Sequence, residues 1–355
     1  MFGSHKKNIK RLLVIRFSAM GDVAMTVPVL YTLAVQNPEL RITMLTRTRF
    51  TPLYEWLPTN VQVKGIDLQK YDGIMGLTRL YKSLQNLHVD AVADLHDVLR
   101  SKYLRTCFSL SGTQIAVVQK GRKEKKALIG HGQEHPALQP MIERYADVFR
   151  SLGLTINLSQ TFSPNLKCED FSAIWMLTGK KVEGEKWIGV APFAAHRQKI
   201  YPVDKMQQVV NMLAEHGHKI FLFGAGKKET DMLHTWEEAY EAKSPQAGKV
   251  ICVRDQVEGL KNEMLLMSKL DLMISMDSAN MHIASILGIP VLSIWGATHP
   301  KAGFRGYGQQ ASNEIQRDLP CRPCSIYGKT PCLYGDLRCM DIAPEAIVQH
   351  ALNIL

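Results

Sequence analysis

A chain of 355 residues is long for one core and suggests two domains. With 46% hydrophobic and 21% charged residues it reads as globular; no apolar run reaches the ~18 residues of a membrane span, and the apolar run 12–15 behind Lys6, Lys7, Lys10 and Arg11 is too short for a signal-peptide core, so a cytoplasmic protein is expected. The formal net charge of +10, from 43 Lys and Arg against 33 Asp and Glu, favours an acidic partner such as nucleic acid, an anionic membrane face or a phosphorylated substrate.

In chain order, residues 11–17 (RLLVIRF) read as a buried strand. Residues 21–37 read as a helix with Val23, Val27, Leu30 and Ala34 at helical spacing, and Pro28 inside it predicts a kink. Strands follow at 41–47 and 61–66, a helix at 76–87, a strand at 90–95, a helix at 98–109 and a strand at 113–118. The pattern then lapses into a charge run at 120–126 and a His-, Pro- and Gly-rich stretch at 131–139. A helix at 141–152 and a polar, linker-like stretch at 159–167 follow. A second alternation has strands at 187–191, 219–223, 250–254, 272–275 and 291–295, with helices at 205–216, 228–242, 261–269 and 280–287. Two such alternations predict an α/β protein with two doubly wound domains facing a central cleft, with ligands at the carboxyl ends of the strands.

Four post-strand segments carry candidate chemistry. In Ser18-Ala19-Met20-Gly21-Asp22, Ser18 or Asp22 either caps the following helix or supplies a reactive carboxylate; neither a dinucleotide glycine fingerprint nor a Walker lysine motif is present. Asp277, Ser278 and the amides that follow open a helix that suits an anion or a ribose, or is simply capped, with His282 packed on the sheet. Gly224 and Gly226 permit a close backbone approach. His196, Arg197 and Lys199 suit phosphates, or form a solvated basic loop. Together, the three sites of the second half suit a nucleotide diphosphate, and the acidic residue of the first half faces them across the expected cleft.

The runs RFSAMGDVAMTVP (16–28) and MDSANMHIASILGIPVLSIWGAT (276–298) resemble the two signature motifs of glycosyltransferase family 9, the heptosyltransferases of lipopolysaccharide inner-core synthesis. The FGAG segment at 223–226 and the loop ending at Lys199 fall in the family's order, and the resemblance covers nearly the whole chain. Ala194 and Ala195, and in the second motif Ala279 and Met281, depart from the family's usual residues. The resemblance implies a GT-B fold of two Rossmann-like domains. An acceptor-side domain would span 1–170, a nucleotide-sugar domain with a cysteine-containing tail 171–342, and a helix at 343–355 would pack back on the first domain. It implies inverting transfer of a sugar, heptose from ADP-heptose, to a lipopolysaccharide core or related envelope glycolipid, without a required metal. Asp22 would be the catalytic base. Lys199, Asp277, Ser278, Ala279 and His282 would bind the donor with Gly224 and Gly226, and Glu229 would contact the ribose. Ser18, Arg100 and Ser101 are acceptor-side candidates.

The run Lys120, Arg122, Lys123, Lys125 and Lys126 is read as belonging to the first half, where it suits an acceptor rich in phosphates and carboxylates, or peripheral contact with the anionic inner leaflet. Cys321, Cys324, Cys332 and Cys339 could hold structural zinc or an iron–sulfur cluster. The second pair lacks a C-x2-C spacing, so reduced thiols are favoured. Cys107, Cys168 and Cys252 read as isolated thiols of a reducing compartment. Three other classes of protein fit parts of the pattern. A nucleotide-sugar epimerase would turn over donor without acceptor. A non-catalytic nucleotide-sugar-binding protein would tolerate loss of Asp22. An RNA-binding protein would use the basic face, but no RNA module or basic-aromatic platform is present, so no nucleic-acid partner is expected.

Overall fold

Short apolar runs bounded by polar turns build two all-parallel sheets, each buried on both faces by helices. The computed structural model describes residues 9–132, 134–159, 162–166, 169–243, 249–254 and 256–355. Lys6, Lys7 and Cys168, and residues 160, 161 and 167 of the linker-like stretch, lie outside the described residues. The chain divides into two units, one of Met1–Lys120 with Met141–Asn165 and one of Gly121–Pro140 with Leu166–Leu355.

In the first unit the strands are β1 (Arg11–Ile15), β2 (Arg41–Arg47), β3 (Val61–Ile66), β4 (Ala91–Asp94) and β5 (Gln114–Val117), in the order β3-β2-β1-β4-β5. The helices are α1 (Met20–Ala24), α2 (Thr26–Gln36), α3 (Gly73–Gln85) and α4 (Leu99–Leu110), with α6 (Met141–Ser151) contributed by the returning segment; α5 (Arg122–Leu128) belongs to the second unit. The expected kinked helix at 21–37 is two helices, broken at Met25. Pro28 is the third residue of α2, where its missing N–H costs no intrahelical bond, so the proline sits in a first turn and not at a kink. Leu13, Ile15, Leu45, Val92, Leu80, Leu84, Leu104 and Phe108 form a core between the sheet and α3 and α4.

In the second unit the strands are β6 (Trp187–Ala191), β7 (Lys219–Leu222), β8 (Val250–Cys252), β9 (Leu272–Met276), β10 (Val291–Trp295) and β11 (Glu314–Gln316), in the order β11-β10-β9-β6-β7-β8. Its helices are α5 (Arg122–Leu128), α7 (Ser172–Thr178), α8 (Val203–Glu215), α9 (Lys227–Glu241), α10 (Gly259–Met267), α11 (Ala279–Ile286) and α12 (Pro344–Ile354).

One expectation is corrected here. Residues 122–128 form α5 and belong to the second unit. The Lys125 ammonium lies 4.4 Å from the Phe304 ring centre, and Gly130 and Gly132 donate N–H bonds to the carbonyls of Pro323 and Arg322. The last helix belongs to the second unit and packs into that unit's core. Ile347, Val348 and Ala351 are buried against α8 and β9, and the Tyr201 hydroxyl donates to the Ile342 carbonyl at 2.6 Å. Among the described residues no helix is long and apolar enough to cross a membrane.

In each sheet the strand order reverses once, between β1 and β4 in the first unit and between β6 and β9 in the second. At such a switch point the connections leave in opposite directions and open a crevice at the carboxyl ends of the two strands. Ile15 lies beside Asp94 and Ala191 beside Ser275 at those ends.

Candidate active site

The first crevice is built by the segments leaving β1 and β4. Asp22 sits in the first turn of α1, where a carboxylate is favoured by the unpaired amides. It does not cap the helix through its side chain. Its Oδ2 instead accepts from Arg16 Nη2 at 2.6 Å, and the Asp22 side chain stays 28% exposed while Arg16 is 6% exposed. Burial alone would lower the Arg16 pKa, but Tyr145 and Asp22 beside it raise it, so the guanidinium stays charged. Arg16 also donates to the Leu95 carbonyl at 2.6 Å and lies over the Tyr145 ring. A buried cation at the end of an apolar strand was the signal for Arg16, which the sequence reading left without a role.

His96 closes the other side of this crevice. Phe17 N–H meets its Nδ1 at 3.4 Å and Ser18 Oγ lies 3.2 Å from its Nε2. Burial, reinforced by Arg16 and Lys120, pushes its pKa down to about 3, so the ring is neutral. Asp94 Oδ1 accepts the N–H groups of His96 and Asp97, and Arg105 holds the Asp94 and Asp97 carboxylates at 2.7 and 3.1 Å. His96 too was passed over in the sequence.

The second crevice is built by the segments leaving β6 and β9. Lys199 Nζ meets Asp277 Oδ2 at 2.7 Å and the Asp277 carbonyl at 3.0 Å, with side chains 16% and 7% exposed. The turn carrying Lys199 is fixed from below, since Ala297 N–H donates to the Gln198 carbonyl. Gly328, at φ +75°, lies against the Lys199 stem; a Cβ there would stand 2.7 Å from Lys199 Cγ. Asp277 and Ser278 precede α11, whose first amides have no partner within the helix. Ser278 is the N-cap residue, but its hydroxyl meets Ser275 Oγ at 3.1 Å and does not bond the helix. His282 is buried on α11.

The remaining candidates fall into place differently. Glu229, in the first turn of α9, uses Oε2 to accept the Ala225 N–H at 2.7 Å and so fixes the glycine turn itself. A Cβ at Gly224 would stand 2.8 Å from Leu233 Cδ1, so packing there favours glycine; Gly226 adopts φ +75°. Ser101 is fully buried, with its hydroxyl bonded to the Val98 N–H and carbonyl, which makes it a helix cap and not an acceptor contact. Arg100 pairs with Asp72 at 3.2 Å on the surface. Lys125 is 4% exposed and packs on Phe304 and Tyr327, so it is withdrawn from the basic face, whereas Arg122, Lys123 and Lys126 are exposed. Lys120 Nζ donates to the Asp97 carbonyl at 3.2 Å.

Cys321, Cys324, Cys332 and Cys339 are free thiols, and burial pushes Cys339 up to about 11. The four thiols lie near enough to influence one another's ionisation, Cys339 feeling Cys324, Cys332 and Cys321; among the described residues the one group of three ligand-type side chains with donor atoms within 4.8 Å is His234, Glu237 and Cys252. In that group the Glu237 carboxylate is already engaged by His234 Nδ1 at 3.1 Å and by the Cys252 backbone.

A profile described as Glycosyltransferase family 9 (heptosyltransferase) matches residues 77–332, more than half of the chain. Lipooligosaccharide heptosyltransferase 2 of Campylobacter jejuni is 27% identical over 176 residues; the match covers 48% of this chain and about half, 52%, of that relative. Lipopolysaccharide heptosyltransferase 3 of Escherichia coli is 25% identical over 298 residues, covering 78% of this chain and 80% of its own. The structure of E. coli ADP-heptose lps heptosyltransferase II matches with a TM-score of 0.69 at 18% identity, covering 97% of this chain and 98% of its own. That likeness shows the fold, the GT-B type with two Rossmann-like units. On the family match, the chain is a glycosyltransferase that belongs to glycosyltransferase family 9, the heptosyltransferase family.

Proposed function

We propose that this enzyme transfers heptose from ADP-heptose, with inversion, to an acceptor of the lipopolysaccharide core. The observation that carries the reading is the acidic residue Asp22 at the switch point of the first sheet. It is held by a buried arginine and does not serve as a side-chain cap. The names of the relatives supply the sugar and the acceptor class.

An acceptor hydroxyl is a weak nucleophile until a positioned base takes its proton. With Oδ2 held by Arg16, Asp22 Oδ1 is the atom assigned to that proton. As the acceptor oxygen attacks the anomeric carbon from the face opposite the diphosphate, the C–O bond to the leaving phosphate breaks and negative charge grows on ADP. Lys199 and the open amides of α11 are assigned to that charge, a stabilisation that is strongest in a site closed to water. No step calls on a metal. The exposed Arg122, Lys123 and Lys126 are assigned to the anionic groups of the acceptor or to the inner leaflet, and a cytoplasmic enzyme is proposed.

The test is Asp22→Asn, assayed by ADP release from ADP-heptose with lipopolysaccharide lacking heptose. Turnover falls ~10²–10⁴-fold, the usual worth of a general base, while donor affinity by calorimetry holds. ADP release without acceptor, unaffected by Asp22→Asn, would favour an epimerase- or hydrolase-type reaction.

A further inference from the structure

We infer that His96 is a positioning residue that acts through Ser18: it donates to the Ser18 oxygen and so turns the Ser18 proton toward the acceptor. The inference rests on the reading of the first crevice as the acceptor site.

The direction of each bond follows from the groups present. Phe17 N–H is a donor only, so the Nδ1 it meets at 3.4 Å carries no proton. A neutral ring then has its proton on Nε2, and Nε2 donates to Ser18 Oγ across 3.2 Å. A serine oxygen that accepts in this way keeps its own proton for another partner. Ser18 is part-buried, four residues before Asp22, on the segment leaving β1.

The ring is built to stay in this tautomer. His96 is 7% exposed and sits edge-on to Phe17, with ring centres 5.9 Å apart. Its own backbone N–H is fixed by Asp94, which Arg105 holds in turn. The charged groups around it are Arg16, Lys120 and Arg47, which oppose protonation together with burial, the largest influence, and Asp22, which favours it. Ser18 therefore meets a steady donor across the neutral pH range.

A histidine that merely bridges the ends of β1 and β4 would matter for stability and not for acceptor binding. A double-mutant cycle separates the two roles. The variants are Ser18→Ala, His96→Ala and the double variant, with His96→Gln, whose amide keeps a donor near the Nε2 position. Each is assayed with ADP-heptose and lipopolysaccharide lacking heptose, and each melting temperature is recorded. Ser18→Ala and His96→Ala each raise acceptor KM roughly five- to tenfold, the worth of one hydrogen bond. Donor KM is unchanged, the double variant is no worse than Ser18→Ala, and His96→Gln recovers most of the loss. Multiplying effects in the double variant, or an unchanged acceptor KM in Ser18→Ala, would overturn the proposal. If His96→Ala does not fold, His96→Leu, which removes the donor and keeps apolar bulk beside Phe17, takes its place in the cycle. The cycle reads acceptor KM, whereas the base assignment stands or falls on kcat in Asp22→Asn, so the two failures are distinguishable.

Discussion

Replacing Lys199 by Met separates two tasks given to one side chain. Methionine keeps an unbranched stem against Gly328 and removes only the ammonium. The ion pair it breaks is short, at 2.7 Å, and its carboxylate is 7% exposed. Removing one member of a fully buried pair costs ~3–5 kcal/mol because the survivor is left uncompensated. Lys199 keeps 16% exposure, so water offsets part of that cost and about 2 kcal/mol is expected. For a unit of this size that is ~4–8 °C in melting temperature. Adding Asp277→Asn removes the stranded charge, so the double variant should melt above Lys199→Met alone. Donor affinity should behave otherwise. A lost charge-assisted bond to phosphate weakens ADP-heptose binding roughly 10–150-fold, and the double variant cannot restore it. Calorimetric titration with ADP-heptose beside thermal melts gives both quantities. A Lys199→Met protein that binds ADP-heptose normally, or a double variant whose two destabilisations simply add, would refute the reasoning.

Gly328→Ala should raise donor KM several-fold with little change in acceptor KM, because the added Cβ both strains a φ of +75° and displaces the Lys199 stem; unchanged donor kinetics would show that the lysine is not steered from there. Acid should destabilise the fold before it reaches the carboxylates. His96 and His299 have pKa values pushed down by burial, to about 3 and about 4, from an ordinary 6.5. The unfolded chain therefore binds protons first, and stability is full above about pH 6.5 and declines toward pH 4, by at most about 2 kcal/mol per histidine at pH 5. Urea titrations from pH 7 to 5 should show this decline, and a smaller one for His96→Gln. Lys123→Ser with Lys126→Ser should raise acceptor KM roughly two- to fivefold at low salt, less at high salt, and leave donor KM alone.

The parallel sheets were legible because their strands are nearly uninterrupted apolar runs, RLLVI and VLSIW among them, flanked by polar turns. Lys199 and Asp277 were legible as post-strand residues, and strand order then explains their meeting, since β6 and β9 are neighbours although their paired residues, such as Ile188 and Leu272, lie 84 positions apart in the chain. Lys125 was misread because a charge run on a short helix has an inner face, and of the four basic residues of α5 it is Lys125 that packs on the aromatic pair Phe304 and Tyr327. Residues 121–140 were assigned to the wrong unit because their partners, at 301 and 322–323, lie far along the chain and carry no periodic signal. His96 escaped notice because its role depends on which atoms face Phe17 and Ser18, a matter of rotamer and register.

The Arg322 guanidinium, 2% exposed, donates to the carbonyls of Trp295, Gly296, Thr298 and Arg317 and to the Gln316 side chain. Four of these five acceptors are main-chain oxygens, so the arginine behaves as a rivet through the backbone at the exit of β10. The same stretch holds the Gln198 carbonyl and hence the Lys199 turn. The tail from β11 onward and the loop before α8 are thereby joined into a single cooperative block, which can open only when the rivet is drawn. Hydrogen exchange at residues 295–298 should then be as slow as that of the central strands. The Arg322→Leu protein should exchange there by local opening and bind ADP-heptose less tightly, although residue 322 lies outside the proposed donor contacts.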